Sequence, residues 1–444
     1  MGGVSSKSAP NPFQEFLQAK RDKAKSTQYT KGKASDFYFA CSGGRIDEVR
    51  RALDAEDGPR IEELNKLQPN GSTPLHAATY YNHTEIVQML LERGCPRNTL
   101  NRFGNTAYEE AETSKMRDLF HRLNSTHRFH ETNTANTVAL YLPEEKMNAM
   151  NVDRTVDYIH VFRSEVDISK YVINRETMAM WVRFYNWFAK TFRTFIETDQ
   201  LHVDAFDLLN HRDFKEFLKR NLSEDNVEKA MDLVHEAKRR NSIEPLINLY
   251  TKEDTGFYHP LNESLAQSSP NKNIGSHESD RFIIEFHIRG DELKRRTFIG
   301  TTYRGATMPE NDLLIYQKLS ESTPPGVLGL KAFTSTSRDP LVALEFALKT
   351  PLEDGKKHVL FVFEISEVSP TIFGVDDVSD YGHEQEVLIL PGNLFIVTKI
   401  EEKKYPPITR IYLKHWNISI SFWTKIKQTI RAGRKGVLDG GNQN

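Results

Sequence analysis

The sequence predicts a multidomain chain: a short all-α repeat array, a helical connector and then an α+β domain. Three observations carry this. The octapeptide Gly71-Ser72-Thr73-Pro74-Leu75-His76-Ala77-Ala78 returns in weaker form as Gly104-Asn105-Thr106-Ala107-Tyr108-Glu109-Glu110-Ala111. A stretch from Met178 through Trp181, Trp187 and Phe192 is rich in aromatics at helical spacing. Beyond residue 297, short apolar and β-branched runs alternate with helical segments. A chain of 444 residues also exceeds what one ordinary core supports. The reading divides it into a basic, disordered N-terminal segment (1–34), the repeats (35–125), the connector (126–240), the α+β domain (241–415) and a basic C-terminal tail (416–444).

The first repeat copy is degenerate: Ala40-Cys41 and Glu48-Val49 match Ala77-Ala78 and Glu85-Ile86. Between copies, Ile86, Val87, Leu90 and Leu91 recur at helical spacing before Gly94, a helix stop. Thr73 suits an N-cap and Pro74 a first helical turn. At roughly a 33-residue period this pattern resembles ankyrin repeats, whose stacked helix pairs present a face for protein contacts and carry no chemistry of their own. His76 is therefore read as structural.

The connector is expected to pack its aromatic stripe into a core, with a second amphipathic helix opening at Ser223-Glu224-Asp225 and running toward Ala237. His160, His202, His211 and His235 have no metal-like spacing with cysteines, so no metal site is expected. Ser264 to Glu278 reads as a polar loop. In the α+β domain, strands are expected near 297–303, 331–335, 358–365, 386–390 and 395–401, with helices at 312–319 and 341–348. No Gly-x-Gly-x-x-Gly follows a strand, which disfavours a doubly wound dinucleotide fold.

Chemistry concentrates in three stretches of that domain. Tyr303-Arg304-Gly305 and Phe333-Thr334-Ser335-Thr336-Ser337 each join a short run to a polar tip, and Glu384-Gln385-Glu386 opens the apolar run Val387 to Leu390. That run reads as a buried strand, on which i and i+2 point to one face, so Glu384 and Glu386 are expected to share one side. Paired carboxylates recur where a sugar-like cation is stabilised. In this order the motifs resemble the Arg-Ser-Glu signature of arginine-specific mono-ADP-ribosyltransferases. The resemblance reaches back to Leu249-Tyr250-Thr251 and Gly256 to Asn262 and forward to Phe395-Ile396-Val397, covering roughly 241–415.

What the resemblance implies is an α+β mono-ADP-ribosyltransferase fold, two packed small sheets around an NAD cleft, with NAD as substrate and NADP as an alternative. It implies that Arg304 grips phosphate, for which a guanidinium fork is suited. The Gly305 main chain would hold the nicotinamide carboxamide, and Ser335 would order the glutamate and nucleotide. Glu386 would be the catalytic carboxylate at the ribose 2-hydroxyl. Glu384 would serve the acceptor, pairing with a guanidinium and taking its proton. Tyr381 matches an aromatic the family uses against its target. The implied activity is NAD(P)+–protein-arginine ADP-ribosylation, with NAD hydrolysis or a non-catalytic ankyrin scaffold as alternatives. Target proteins with accessible arginine, and a protein bound by the repeats, are the implied partners.

Composition narrows partners and place. Lys plus Arg number 59 against 61 Asp plus Glu, a net charge of −2, so no global field steers the chain to nucleic acid. Cys41 and Cys95 are the two cysteines, too few for a disulfide framework, and the chain reads as cytoplasmic. No apolar run approaches a membrane span, and the N-terminus lacks a signal peptide's apolar core. Both ends nevertheless point to a membrane surface. Met1-Gly2-Gly3-Val4-Ser5-Ser6 fits N-myristoylation at Gly2, and Lys20, Arg21, Lys23, Lys25, Lys31 and Lys33 supply the second, basic signal that one acyl chain needs. Phe422, Trp423, Ile426 and Ile430 alternate with basic residues in the tail.

Overall fold

The computed structural model describes residues 11–29, 32–55, 58–121, 130–131, 138–143, 159–162, 212–267, 279–321, 326–349, 352, 355–404 and 406–416. The chain divides into two compact units: Met1–Ser125 with Val375–Gln385, and Thr126–Gly374 with Glu386–Asn444. Gly2, the aromatic stripe at 178–192, His202, His211 and the tail beyond residue 416 lie outside the described residues.

In the first unit the repeats fold as helix pairs, Asp36–Ser42 with Ile46–Asp54 and Pro74–Tyr80 with Thr84–Glu92. A third, abbreviated pair is a 3-10 turn, Tyr108–Glu110, and the short helix Ser114–Asp118. No pair this small buries its apolar side alone. Stacking brings Cys41, Val49, Ala78, Ile86, Leu90 and Met116 into one core. The repeated motif has a physical reason at each position. Thr73 caps its helix by accepting the His76 N–H, and Pro74 takes the first turn. Gly71 and Gly104 both have left-handed backbone, φ 76° and 75°, and a Cβ on Gly71 would lie 2.6 Å from the Arg102 Cβ. Cys41 and Cys95 are buried free thiols whose pKa values burial pushes up to about 12, which makes them inert.

The N-terminal segment departs from the expectation of disorder. Pro12–Ser26 is a helix, capped by the Asn11 side chain and anchored by the fully buried Phe13. Two of its basic side chains turn toward the repeat unit. Arg21 bonds the Gly104 carbonyl at 2.8 Å and pairs with Glu109 at 2.6 Å, and Lys20 pairs with Asp377.

Among the described residues the second unit holds eleven strands: β1 (His130–Glu131), β2 (Val138–Pro143), β3 (Ile159–Phe162), β4 (Gly300–Pro309), β5 (Val327–Leu330), β6 (Thr334–Ser337), β7 (Lys356–Ile365), β8 (Ile372–Gly374), β9 (Glu386–Ile389), β10 (Leu394–Lys403) and β11 (Ile408–His415). Their order is β3-β2-β5-β10-β11-β7-β4-β6-β9-β8, with β1 beside β4. The α+β reading with two small sheets corresponds to two groups of strands, β3 through β4 and β6-β9-β8. They form one continuous sheet, joined between β4 and β6 by the pair Tyr303 opposite Ser337 and, just before β4, by an isolated bridge of Thr297 to Phe373. Side chains of both groups, among them Phe361, Phe363, Ile372, Val387 and Ile389, share one core. The helices Glu310–Ser320 and Pro340–Lys349 fall where helical spacing placed them.

Part of the expected helical connector is sheet instead. β2 runs antiparallel to β5, and β3 pairs with β2. Val138-Ala139-Leu140-Tyr141-Leu142 is too short for a stable helix and Pro143 ends it; as a strand it buries Val138 and Leu140. His160 sits in β3, and Ser264 to Gln267, expected as loop, complete the helix Tyr258–Gln267. The amphipathic helix at Ser223 is present as Glu224–Arg240, burying Ala230, Val234 and Ala237. Among the described residues no helix is long and apolar enough to cross a membrane.

The buried His76 gives the repeats a pH dependence. Its Nε2 lies 3.1 Å from the Asn105 carbonyl, which only accepts, so Nε2 carries the proton and Nδ1 accepts from the Thr73 hydroxyl at 2.8 Å. Burial lowers its pKa from 6.5 to about 4. Above pH 6.5 the ring is neutral folded and unfolded, and the full contribution is present. Between 6.5 and 4 the unfolded chain takes up a proton that the folded one refuses, and stability falls, by on the order of 3 kcal/mol in all. Thermal melts between about pH 7.5 and pH 5 should therefore show a wild-type loss that is much reduced in His76→Gln.

Candidate functional site

The strand order brings the three chemical motifs onto adjacent strands of the second unit. Arg304 lies on β4, Ser335 on β6, and Glu386 opens β9. β6 and β9 run antiparallel with Ser335 opposite Leu388 and Ser337 opposite Glu386. Residues opposed in such a pair share a face, as do i and i+2, so Ser335, Ser337 and Glu386 lie on one side.

Hydroxyls staple these strands from the other side. Thr336 donates to the Val387 carbonyl at 2.7 Å, and its oxygen lies 2.7 Å from the Thr302 hydroxyl, which is also 2.9 Å from the Ser337 carbonyl. Arg304 is 8% exposed, and its Nη1 donates to the Ser335 carbonyl at 2.8 Å. Glu386 is fully buried. The Ser335 hydroxyl oxygen is buried and has no hydrogen-bond partner among the described residues, an orphan that a ligand hydroxyl or carboxamide would satisfy.

β6 is also held from behind. Asn262 accepts the Phe333 N–H at 3.2 Å and donates to the Phe333 carbonyl at 3.3 Å, while the Tyr250 ring packs on Phe333 with centroids 4.8 Å apart. Asn262 is a positioning residue that motif reading missed. It fell within the resembled stretch, but nothing in its spacing marked a bidentate grip on a strand two motifs away.

Gly305 has a packing reason of its own. A Cβ there would lie 2.7 Å from the Ala343 carbonyl and 2.7 Å from the Ala347 Cβ, because the helix Pro340–Lys349 crosses β4 at this point. The residue is glycine whether or not its main chain meets a ligand.

Glu384 and Glu386 do not share a strand face. β9 begins at Glu386, while Glu384 closes a 3-10 turn, Gly382–Glu384. Between them Gln385 is left-handed, at φ 52° and ψ 47°, so the two-residue alternation of a strand does not extend back to Glu384. The polar turn, rather than the apolar run, decides the backbone here.

Glu384 and Tyr381 belong to Val375–Gln385, which folds with the repeats. Tyr381 is only 7% exposed, and the Arg97 guanidinium lies over its ring at 4.7 Å. His383 stacks on Tyr108 at 4.4 Å and on His121 at 4.9 Å. Asp377 pairs with Lys20, and its carbonyl accepts from Asn98 at 3.2 Å. Tyr108 lies in the second repeat motif, while Arg97 and His121 carry no motif signal. Among the described residues no group of three or more His, Cys, Asp or Glu is placed to hold a metal ion.

Residues 62–111 match a family model described as ankyrin repeats (many copies). Curated relatives include an ankyrin repeat-containing protein of Schizosaccharomyces pombe, 32% identical over 91 residues, 20% of this chain and 42% of that protein. Another is the transient receptor potential cation channel subfamily A member 1 of Homo sapiens, 40% identical over 65 residues, 15% of this chain and 6% of the channel. The chain thus spans less than half the length of these relatives. Similar solved structures include the Vis toxin, an ADP-ribosyltransferase of Vibrio splendidus, in complex with an inhibitor. It is 20% identical, covers 52% of this chain and 90% of its own, and has a TM-score of 0.29. The ADP-ribosyltransferase HopU1 of Pseudomonas syringae is 15% identical, covers 50% and 98%, and has a TM-score of 0.35.

The crossing at Gly305 makes one prediction. Gly305→Ala should destabilise the second unit by about 1–3 kcal/mol, since helix backbone and not a flexible side-chain end must move. Thermal unfolding measures it, and unchanged stability with lost nucleotide binding would assign the glycine to the ligand alone.

Proposed function

We propose that this protein is an arginine-directed mono-ADP-ribosyltransferase, moving ADP-ribose from NAD to arginine side chains of target proteins and releasing nicotinamide. One observation carries the reading: the Arg304 guanidinium, the orphaned Ser335 hydroxyl and Glu386 stand on three adjacent strands, linked by the Arg304 to Ser335 bond and the Ser337–Glu386 pair.

The chemistry follows from the substrate. Nicotinamide in NAD is already cationic and leaves without a proton, so the protein must hold the pyrophosphate and offset charge on an oxocarbenium-like ribose. Arg304 is a fixed cation held by its bond to the Ser335 carbonyl, and a guanidinium fork suits a phosphate. Ser335 both donates and accepts, which suits a bridge between the nucleotide and Glu386. Glu386 accepts from the ribose 2-hydroxyl and faces the developing positive charge. The glycosidic C–N bond breaks with its electron pair going to nicotinamide, a guanidinium nitrogen of the acceptor bonds to the ribose carbon, and Glu384 takes the displaced proton. NADP fits the same scheme, and hydrolysis is its side reaction when water takes the acceptor's place.

The repeats are proposed to bind a protein partner, as stacked helix pairs generally do. Gly2, if acylated, would add residence at an anionic membrane surface, helped by those basic side chains not already engaged with Asp377 and Glu109.

Two substitutions separate the roles. Glu386→Gln should reduce both agmatine transfer and NAD hydrolysis more than a hundredfold while NAD still binds, because a transition-state charge contact worth ~3 kcal/mol is lost and the shape is kept. Glu384→Gln should cut agmatine transfer steeply and leave hydrolysis largely intact. Labelled NAD incubated with agmatine or water alone reads both. Near-normal turnover of Glu386→Gln, or unchanged transfer by Glu384→Gln, would remove the corresponding assignment.

A further inference from the structure

The acceptor side of this chain already carries an arginine. Tyr381 lies three residues before Glu384, whose backbone N–H bonds the Tyr381 carbonyl at 2.9 Å. Over that ring, 4.7 Å from its centroid, lies the guanidinium of Arg97. A guanidinium on an aromatic face is the contact an incoming arginine would seek there, since the ring's negative face attracts the planar cation. Arg97 is not loosely placed. Its Nη1 donates to the Phe120 carbonyl at 3.0 Å, which fixes the side chain from the repeat side.

The ring is held to the same body. His383 stacks against Tyr108 and His121, Tyr108 packs edge-on to Phe120 at 6.0 Å, and Asp377 is tied to Lys20 and Asn98. All of these residues belong to the repeat unit, which includes Val375–Gln385. With Tyr381 only 7% exposed, its face has no room for a second guanidinium while Arg97 stays.

We propose that Arg97 is a specificity-determining residue on the acceptor side, an internal occupant that competes with the guanidinium of an incoming target for the face of Tyr381. This rests on the acceptor role given above to Tyr381 and Glu384. Arginine acceptors then bind only as well as they displace Arg97. Water needs no aromatic face, so NAD hydrolysis does not sense it. A target that engages the repeats and draws Arg97 away would be favoured over a free small guanidine.

Arg97→Met, in the full chain, keeps most of the side-chain volume and removes the cation. With agmatine as acceptor, its KM should fall about three- to tenfold, the range of a single partly buried cation–π contact, with kcat and NAD hydrolysis unchanged. Arg97→Lys keeps a donor for the Phe120 carbonyl and should shift KM in the same direction by less. In a Tyr381→Leu background the gain from Arg97→Met should vanish, because the competed face is gone. An unchanged or raised KM in both Arg97 variants, or a gain that survives Tyr381→Leu, overturns the proposal. Wild-type protein that consumes NAD without ever labelling agmatine, or consumes none, overturns the proposed function instead, and is told apart because it needs no variant.

Discussion

The whole candidate site hangs on the corner where β4 meets β6. Only Tyr303 and Ser337 pair there, so the backbone ladder contributes little across the junction. Side chains hold it: the Thr302 hydroxyl reaches Thr336 and Ser337, Thr336 reaches Val387 on β9, and Arg304 reaches the Ser335 carbonyl. All of these groups are buried, and in a low-dielectric interior each bond is stronger and each broken one costs more than at the surface. The atoms that fix the corner are thus the atoms that aim Arg304, Ser335 and Glu386. A slip of one residue between β6 and β9 would turn Glu386 to the opposite face and strand these hydroxyls together.

The motif Thr-Ser-Thr-Ser acquires a division of labour from this. Its odd and even members point to opposite faces of β6. Thr334 and Thr336 face the staple side, where a β-branched hydroxyl is stiff at χ1 and holds its partner. Ser335 and Ser337, with smaller side chains, face the Glu386 side. Asn262, clamped on both backbone groups of Phe333, sets where this alternation begins.

Much of this was legible because it is local. Thr73, Pro74 and Gly71 announce their turn and cap by residue type, and β4, β6, β7, β9 and β10 lie at or beside the runs read as strands, whereas β5, β8 and β11 were not anticipated. β2 was not legible, because five apolar residues bounded by Pro143 suit a strand or a buried helical turn equally, and the decision came from β5, nearly two hundred residues away. The helix Pro12–Ser26 was hidden by its charge. Lysines and arginines read as a solvated segment until Phe13, Arg21 and Lys20 find partners that sequence cannot locate. The site motifs were readable as residues, but the shared face assigned to Glu384 and Glu386 failed at Gln385, whose left-handed backbone no composition rule predicts for glutamine.

That one residue marks a boundary. A non-glycine side chain in the left-handed region costs about 1–2 kcal/mol, and Gln385 bears it between a 3-10 turn on one side and the β6–β9 ladder on the other. The two compact units also divide between Gln385 and Glu386. In the proposed reaction the carboxylate that serves the acceptor therefore folds with the repeats, and the carboxylate that serves the ribose folds with the sheet. Under the proposed function, Arg97, Tyr108 and His121 belong with Val375–Gln385 to the acceptor's unit, and Arg304 and Ser335 to the unit proposed to bind NAD. The chain passes between the units at 125/126, 374/375 and 385/386, and the last of these separates the two carboxylates.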